Sequence, residues 1–298
     1  MHNMNYKTCR VLALAMLFLA MSCGRRDFPF TESSARFFDL ETGKELSPRK
    51  AANSAGIWGE MQLDIFDSRQ SVSFVRVLPG TYGFDILCAE GENADSTSAI
   101  CLRNNVVAGI NGSYFNMRDF TPCTYVKDDG FEVGSTSPGE FFRTNGAFLN
   151  GVIGFDINAA DTTAFLPEGD LRWEVLASGP ILMDDGEVFS YTEGIPGWES
   201  FYDYRHPRSL IGTDADGLFW LVVVDGRAPG MADGMTIEEL TVLCEMLGFT
   251  DALNLDGGGS STLWTREGGV LNHPSDNTLF DHEGQRKVPN VLAVRKGY

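Results

Sequence analysis

The chain has 298 residues, 43% of them hydrophobic, with 41 Asp and Glu against 23 Lys and Arg and a formal charge of −18. So large a surplus of carboxylates excludes a nucleic-acid binder, because a phosphate backbone is repelled rather than neutralised. The apolar share fills the core of one large domain or two small ones, and any arginine beside a glycine-rich loop stands out against the acidic background.

At the N-terminus Lys7 and Arg10 precede an apolar run, Val11 to Met21, that is too short to span a bilayer and has the charged flank of a secretory signal. Its ending, Leu19-Ala20-Met21-Ser22-Cys23, looks like a bacterial lipobox. The expected organisation is a lipoprotein signal over 1–23, a tether and loosely ordered lead-in over 24–53, and one domain over 54–298. The mature protein is then exported and held in the cell envelope by a lipid on Cys23, with ordinary cleavage nearby as the alternative. Of the body's cysteines, Cys88, Cys101, Cys123 and Cys244, none has zinc-like spacing; one disulfide or none is expected, with Cys244 in the core.

Residues Gln70 to Leu78 alternate polar and apolar as a strand, Pro79 to Gly83 is a turn, and Phe84 to Ala89 is a second strand, together a hairpin or meander. Ser96 to Val106 permits a short helix. Val106 to Ile110 is an apolar strand running into Asn111-Gly112-Ser113-Tyr114-Phe115. Either Asn-Gly is a hairpin turn, or Asn111, Gly112 and Tyr114 line a pocket. Arg118 to Glu140 reads as a loop covering the site. Phe141 to Ile157 and Leu171 to Val188 each hold two apolar stretches around turns.

The basic cluster Arg205-His206-Pro207-Arg208 is either the salt-bridged end of a strand or an anion grip, with Arg208 presenting its planar fork to phosphate. His206 is a proton carrier, a partner of Asp, or structural. Leu218 to Val224 is apolar almost throughout, as a strand buried on both faces, and ends at Asp225-Gly226-Arg227. Thr236-Ile237-Glu238-Glu239 reads as a capping box, Ile237, Leu240, Cys244 and Leu247 recur at helical spacing, and Gly248 is the stop. Asp251 to Leu255 is the next strand. A strand, a helix and a strand in so short a span predict a parallel crossover, with Asp225 and Asp256 at one sheet edge. The fold class is thus α+β, a mixed sheet rich in antiparallel strands with a parallel βαβ crossover leading to the Asp-Gly-Gly-Gly-Ser loop.

That loop is the centre of the chain: Asp256-Gly257-Gly258-Gly259-Ser260-Ser261-Thr262 joins a carboxylate, three glycines and hydroxyls. It offers anion-binding amides and an acid/base group. Asn254 to Thr262, with Asn111 to Phe115, Arg208-Ser209-Leu210-Ile211-Gly212, Asp225-Gly226-Arg227 and Gly234-Met235-Thr236, resembles the phosphodiester glycosidase domain of the mannose 6-phosphate uncovering enzyme and its bacterial relatives. The resemblance covers roughly Ile100 to the C-terminus. It implies hydrolysis of an N-acetylglucosamine α-1-phosphodiester.

On that reading Arg208, Arg227 and the Gly257, Gly258, Gly259 and Ser260 amides neutralise the leaving phosphate, which needs little protonation. Asp256 activates water or stabilises the oxocarbenium-like centre; Asp225 holds Arg227, binds sugar hydroxyls or shares the catalysis. Asn111 hydrogen-bonds sugar hydroxyls and Tyr114 packs on the ring, with His206 and Asn290 as further substrate-binding candidates. No cofactor is expected. Two other classes remain: a surface lipoprotein that binds anionic glycans without turnover, and a metal-dependent phosphodiesterase with Asp225 and Asp256 as ligands. His273 and His282 are spaced too irregularly for a metal site, and Asp281-His282-Glu283 reads as a surface cluster.

Overall fold

The computed structural model describes residues 31–90, 93–137, 144–149, 152–154, 174–189 and 198–297. The signal segment and Cys23 lie outside them. A nine-stranded sheet forms the middle of the molecule, in the order Glu187–Val188, Ile181–Asp184, Phe249–Asn254, Arg208–Asp214, Phe219–Val224, Ser68–Val77, Gly56–Ile65, Thr31–Asp39, Glu45–Leu46. One face carries the helix Ile237–Leu247, whose Leu240, Leu243, Cys244 and Leu247 pack with Leu210, Trp220, Val222 and Ala252. The other face buries Val75, Leu221, Val223, Ile211 and Leu253 against Ile110 and Leu292 of one five-stranded sheet and Phe148 and Leu176 of another.

The apolar run reads as expected: all of Phe219–Val224 is buried, which suits a strand covered on both faces. The helix begins with the full reciprocal capping box between Thr236 and Glu239 and ends at Gly248 in the left-handed region. Such a cap contributes about 1 kcal/mol.

Four local expectations change. Phe219–Val224 and Phe249–Asn254 do run in the same direction on either side of the helix, but they are not neighbours. Arg208–Asp214 lies between them and pairs antiparallel with both, so two antiparallel ladders replace the parallel one. Its hairpin to Phe219–Val224 closes over a short turn at Asp214, a local contact that claims the place beside that strand. Ser68–Val77 and Tyr82–Cys88 do not pair either. The first sits between Gly56–Ile65 and Phe219–Val224, with both edges taken, and the turn passes the chain to another sheet, where Tyr82–Cys88 pairs with Asn290–Lys296.

Within the segment expected as a loosely ordered lead-in, Thr31–Asp39 is a strand paired with Gly56–Ile65, because Phe37 and Phe38 bury on opposite faces. Val126–Asp128 and Phe131–Gly134 form a hairpin inside the expected loop, turned by Asp129 and Gly130 at positive φ. The helix Thr97–Arg103 forms where expected, N-capped by Ser96. The stretches 138–143, 155–173 and 190–197, on which parts of the other strand expectations fall, lie outside the described residues. Cys88, Cys101, Cys123 and Cys244 are free thiols.

Candidate active site

The ends of Phe219–Val224 and Phe249–Asn254 in the nine-stranded sheet and of Ala108–Asn111 in a five-stranded one gather most of the singled-out residues. Asn111 is fully buried, donates from Nδ2 to the Asp256 carbonyl at 2.6 Å, and accepts at Oδ1 from Ser209 Oγ at 2.8 Å and the Thr262 N–H at 3.1 Å. The Asp256 N–H in turn donates to the Gly112 carbonyl at 3.2 Å. The side chain expected to meet a sugar thus fixes both ends of the glycine loop.

Asn290 and Tyr114 are likewise turned inward. Asn290 accepts from the Ser113 N–H and donates to Ser113 Oγ, each at 2.8 Å. The buried Tyr114 hydroxyl donates to the Gly179 carbonyl at 2.7 Å and accepts from Asn254 Nδ2 at 2.8 Å. A buried amide or phenol must be satisfied, and here main chain and neighbouring polar groups do it, which leaves these groups as scaffold around the loop.

In the loop itself Gly258, at φ +62°, opens a short 3-10 turn, Gly258–Ser260. Three of the four expected anion-binding amides are spent internally: Gly257 on Asp256 Oδ1 at 2.9 Å, Gly258 on the Pro207 carbonyl at 2.8 Å and Ser260 on the Gly257 carbonyl at 3.2 Å. Among the described residues only the Gly259 N–H of this group finds no acceptor. The buried hydroxyls of Ser260, Ser261 and Thr262 also lack partners there. A cluster of buried donors without acceptors is a place for an acceptor-rich ligand.

Arginines converge above the loop. A Cβ on Gly258, at φ +62°, would stand 3.0 Å from Arg227 Nη2, and one on Gly259 would strike the far ends of the Asp276–Arg286 ion pair, which would have to move aside. Arg227, at φ +61°, reaches Ser275 Oγ at 3.4 Å and not Asp225. Arg286 grips Asp276 through Nε at 2.9 Å and Nη2 at 2.6 Å. Residual repulsion between Arg227 and Arg286 adds to burial in holding the Arg227 value below normal.

Arg208 is only 2% exposed. Its Nε donates to the Met235 carbonyl at 2.8 Å and its Nη2 to the carbonyls of Phe201 at 2.7 Å and Tyr204 at 3.1 Å. The fork expected to meet phosphate bidentately is therefore already occupied along its Nε–Nη2 edge. Burial pushes its pKa down to about 10, and among the described residues no carboxylate bonds it directly. A guanidinium remains charged at neutral pH even so, leaving a buried positive charge beside the loop. Arg205, the other member of the basic cluster, is instead committed to Glu239. His206 donates from Nε2 to the Ser200 carbonyl at 2.7 Å; burial, then repulsion from Arg208 and Arg227, lowers its pKa.

Asp225 is the second departure. Its buried carboxylate accepts from Ser71 Oγ, the His273 N–H and His273 Nδ1, each at 2.8 Å, and from Asn272 Nδ2 at 3.3 Å. Ser71, His273, Asp276 and Arg286 were not among the sequence candidates. Their partners are remote in the chain and leave no local periodic trace; the one available signal was a further arginine in an acidic sequence. No cluster of three or more metal-type ligands occurs among the described residues.

The fold recurs in solved structures. A hypothetical protein from Synechocystis superposes with a TM-score of 0.61 at 17% identity, over 80% of this chain and 62% of that one. The zebrafish N-acetylglucosamine-1-phosphodiester alpha-N-acetylglucosaminidase catalytic domain, auto-inhibited by its pro-peptide, superposes with a TM-score of 0.60 at 17% identity, over 92% and 85%. An α+β, mostly antiparallel architecture with a glycine loop beneath arginines is thus the class of protein in hand. The phosphodiester glycosidase family profile matches residues 104–295, and the chain belongs to that family. The N-acetylglucosamine-1-phosphodiester alpha-N-acetylglucosaminidase of Mus musculus is 24% identical over 198 residues, 58% of this chain; the chain spans 38% of that relative's length.

Proposed function

We propose that this protein hydrolyses a sugar 1-phosphodiester, of the N-acetylglucosamine α-1-phosphodiester kind, at its glycosidic bond. One observation carries the reading: Arg208, Arg227 and Arg286 gather around a loop with unsatisfied donors, in a chain of net charge −18. The family and the murine relative support the same chemistry.

In this mechanism the phosphate leaves as a phosphomonoester, whose charge the arginines and the Gly259 amide offset. Asp256, fixed by Asn111 and Gly112 through its main chain, faces the carbon that becomes oxocarbenium-like and stabilises it. Arg208 acts through charge and by holding the turn above the loop. The N-terminal pattern supports export with a lipid on Cys23; mass spectrometry of the native protein showing another, unmodified first residue contradicts that anchor.

The test is turnover of a chromogenic N-acetylglucosamine 1-phosphodiester by the purified protein and by Asp256→Asn. The reading expects release of sugar by the first and about two orders of magnitude less by the second, with binding retained. Binding without release by the native protein favours a glycan-binding lipoprotein instead.

A further inference from the structure

The loop that follows Gly269–Val270 contains a histidine held at its backbone, its ring nitrogen and its ring faces. His273 donates its main-chain N–H to one oxygen of Asp225 and engages the other through Nδ1, both at 2.8 Å. A carboxylate ringed by Ser71, Asn272 and the His273 amide acts as acceptor, which assigns the ring proton to Nδ1 and the lone pair to Nε2. The ring is also clamped between Phe280, at 3.8 Å and 8°, and His282, at 4.5 Å and 29°. Its side chain keeps 20% of its surface open. Backbone, ring nitrogen and both ring faces are thus fixed while one edge of the imidazole stays accessible.

The same short segment reaches the glycine loop. Ser275 accepts from Arg227, Asp276 lies against Gly259, and Asn272 Nδ2 donates to the Ser261 carbonyl at 3.0 Å. The titratable and charged groups facing His273 are Asp225, His282 and Asp281, with Arg227 and Asp276 flanking its segment.

We propose that His273, oriented by Asp225, is the proton acceptor of the hydrolysis. This rests on the glycosidase reading of the same site. The water oxygen bonds to the anomeric carbon as the bond from that carbon to the phosphate oxygen breaks, its electron pair leaving with the phosphate. The water proton passes to Nε2 of His273, and the imidazolium later releases it to solvent. Asp225 is then a positioning residue, and Asp256 supplies negative charge opposite the anomeric carbon.

The test combines kinetics with nitrogen-15 NMR on the full chain. His273→Gln is expected to lower kcat at least a hundredfold with KM within about threefold, to abolish the acidic limb of the pH–rate profile, and to recover part of its rate in imidazole, at an unchanged melting temperature. Asp225→Asn is expected to shift that limb and weaken the Nδ1–H signature. Unaltered kcat and pH profile in His273→Gln overturn the proposal. So does activity lost to a chelator and restored by zinc, which assigns the two stacked imidazoles to a metal. In the native protein the His273 resonances are expected to show Nδ1–H and an unprotonated Nε2 that shifts on adding N-acetylglucosamine 1-phosphate. The opposite tautomer, or no shift at ligand saturation, overturns the role of His273 whether or not the protein turns over a diester. Absent turnover with the expected NMR response counts against the glycosidase reading alone.

Discussion

Asn111 and Asp256 are 145 positions apart, yet the amide of the first donates to the main-chain carbonyl of the second at 2.6 Å. Because the same amide accepts from Ser209 and Thr262, one buried side chain joins the strand Ala108–Asn111, the strand Arg208–Asp214 and both sides of the glycine loop. The loop carrying the candidate carboxylate is therefore set by a scaffold residue as well as by its own glycines.

Asn111→Asp is nearly isosteric but puts an oxygen against the Asp256 carbonyl and a charge in a buried place. Destabilisation of about 3 kcal/mol or more is expected, read as a lower urea midpoint at constant slope, with activity per folded molecule also reduced. An unchanged midpoint counts against the scaffold role.

Arg208→Lys keeps the charge but loses the geometry that serves the carbonyls of Met235, Phe201 and Tyr204 together. A loss of about 2–4 kcal/mol in stability is expected, alongside at least tenfold slower turnover by the molecules that remain folded. Full stability with slow turnover restores the direct phosphate grip inferred from the sequence motif.

Gly259→Ala meets the far ends of Asp276 and Arg286, which can swing away at little cost to folding. Melting within a few degrees of the native protein is expected, with KM for an anionic substrate raised about tenfold or more as that pair is displaced. Unaltered KM removes the Asp276–Arg286 pair from the substrate site.

Glu174 caps the open edge of Tyr82–Cys88 by accepting from the Ile86 N–H at 2.8 Å. Desolvation, aided by Asp128 and Asp129 against that hydrogen bond, raises its pKa from 4.5 to about 7. The folded state thus binds this proton more tightly than the unfolded chain, so its contribution is present below about pH 4.5 and is lost as pH rises through about 7. Glu174→Gln keeps an acceptor and is expected to flatten the fall in melting temperature between those pH values. Parallel curves for native and variant protein refute this assignment.

What the sequence discloses is what local chemistry sets. The capping box at Thr236 and Glu239, the doubly buried run Phe219–Val224 and the common direction of the two strands that lead to Asp225 and Asp256 follow from spacing and polarity. What it conceals is partner choice. Nothing in Tyr82–Cys88 announces a ladder with Asn290–Lys296, and nothing near Asp225 announces His273 48 positions on. Polarity alone also failed to orient the side chains: Asn111, Tyr114 and Asn290 have the chemistry of sugar ligands, yet burial directs it to main-chain and neighbouring polar groups.

The central claim is cleavage at the glycosidic bond, and hydrolysis of an N-acetylglucosamine α-1-phosphodiester in oxygen-18 water tests it most directly. Glycosidic cleavage puts the heavy oxygen on the anomeric hydroxyl of the released sugar and none on the phosphomonoester. Label on the phosphate, with an unlabelled sugar, contradicts it and makes the reaction a phosphoryl transfer.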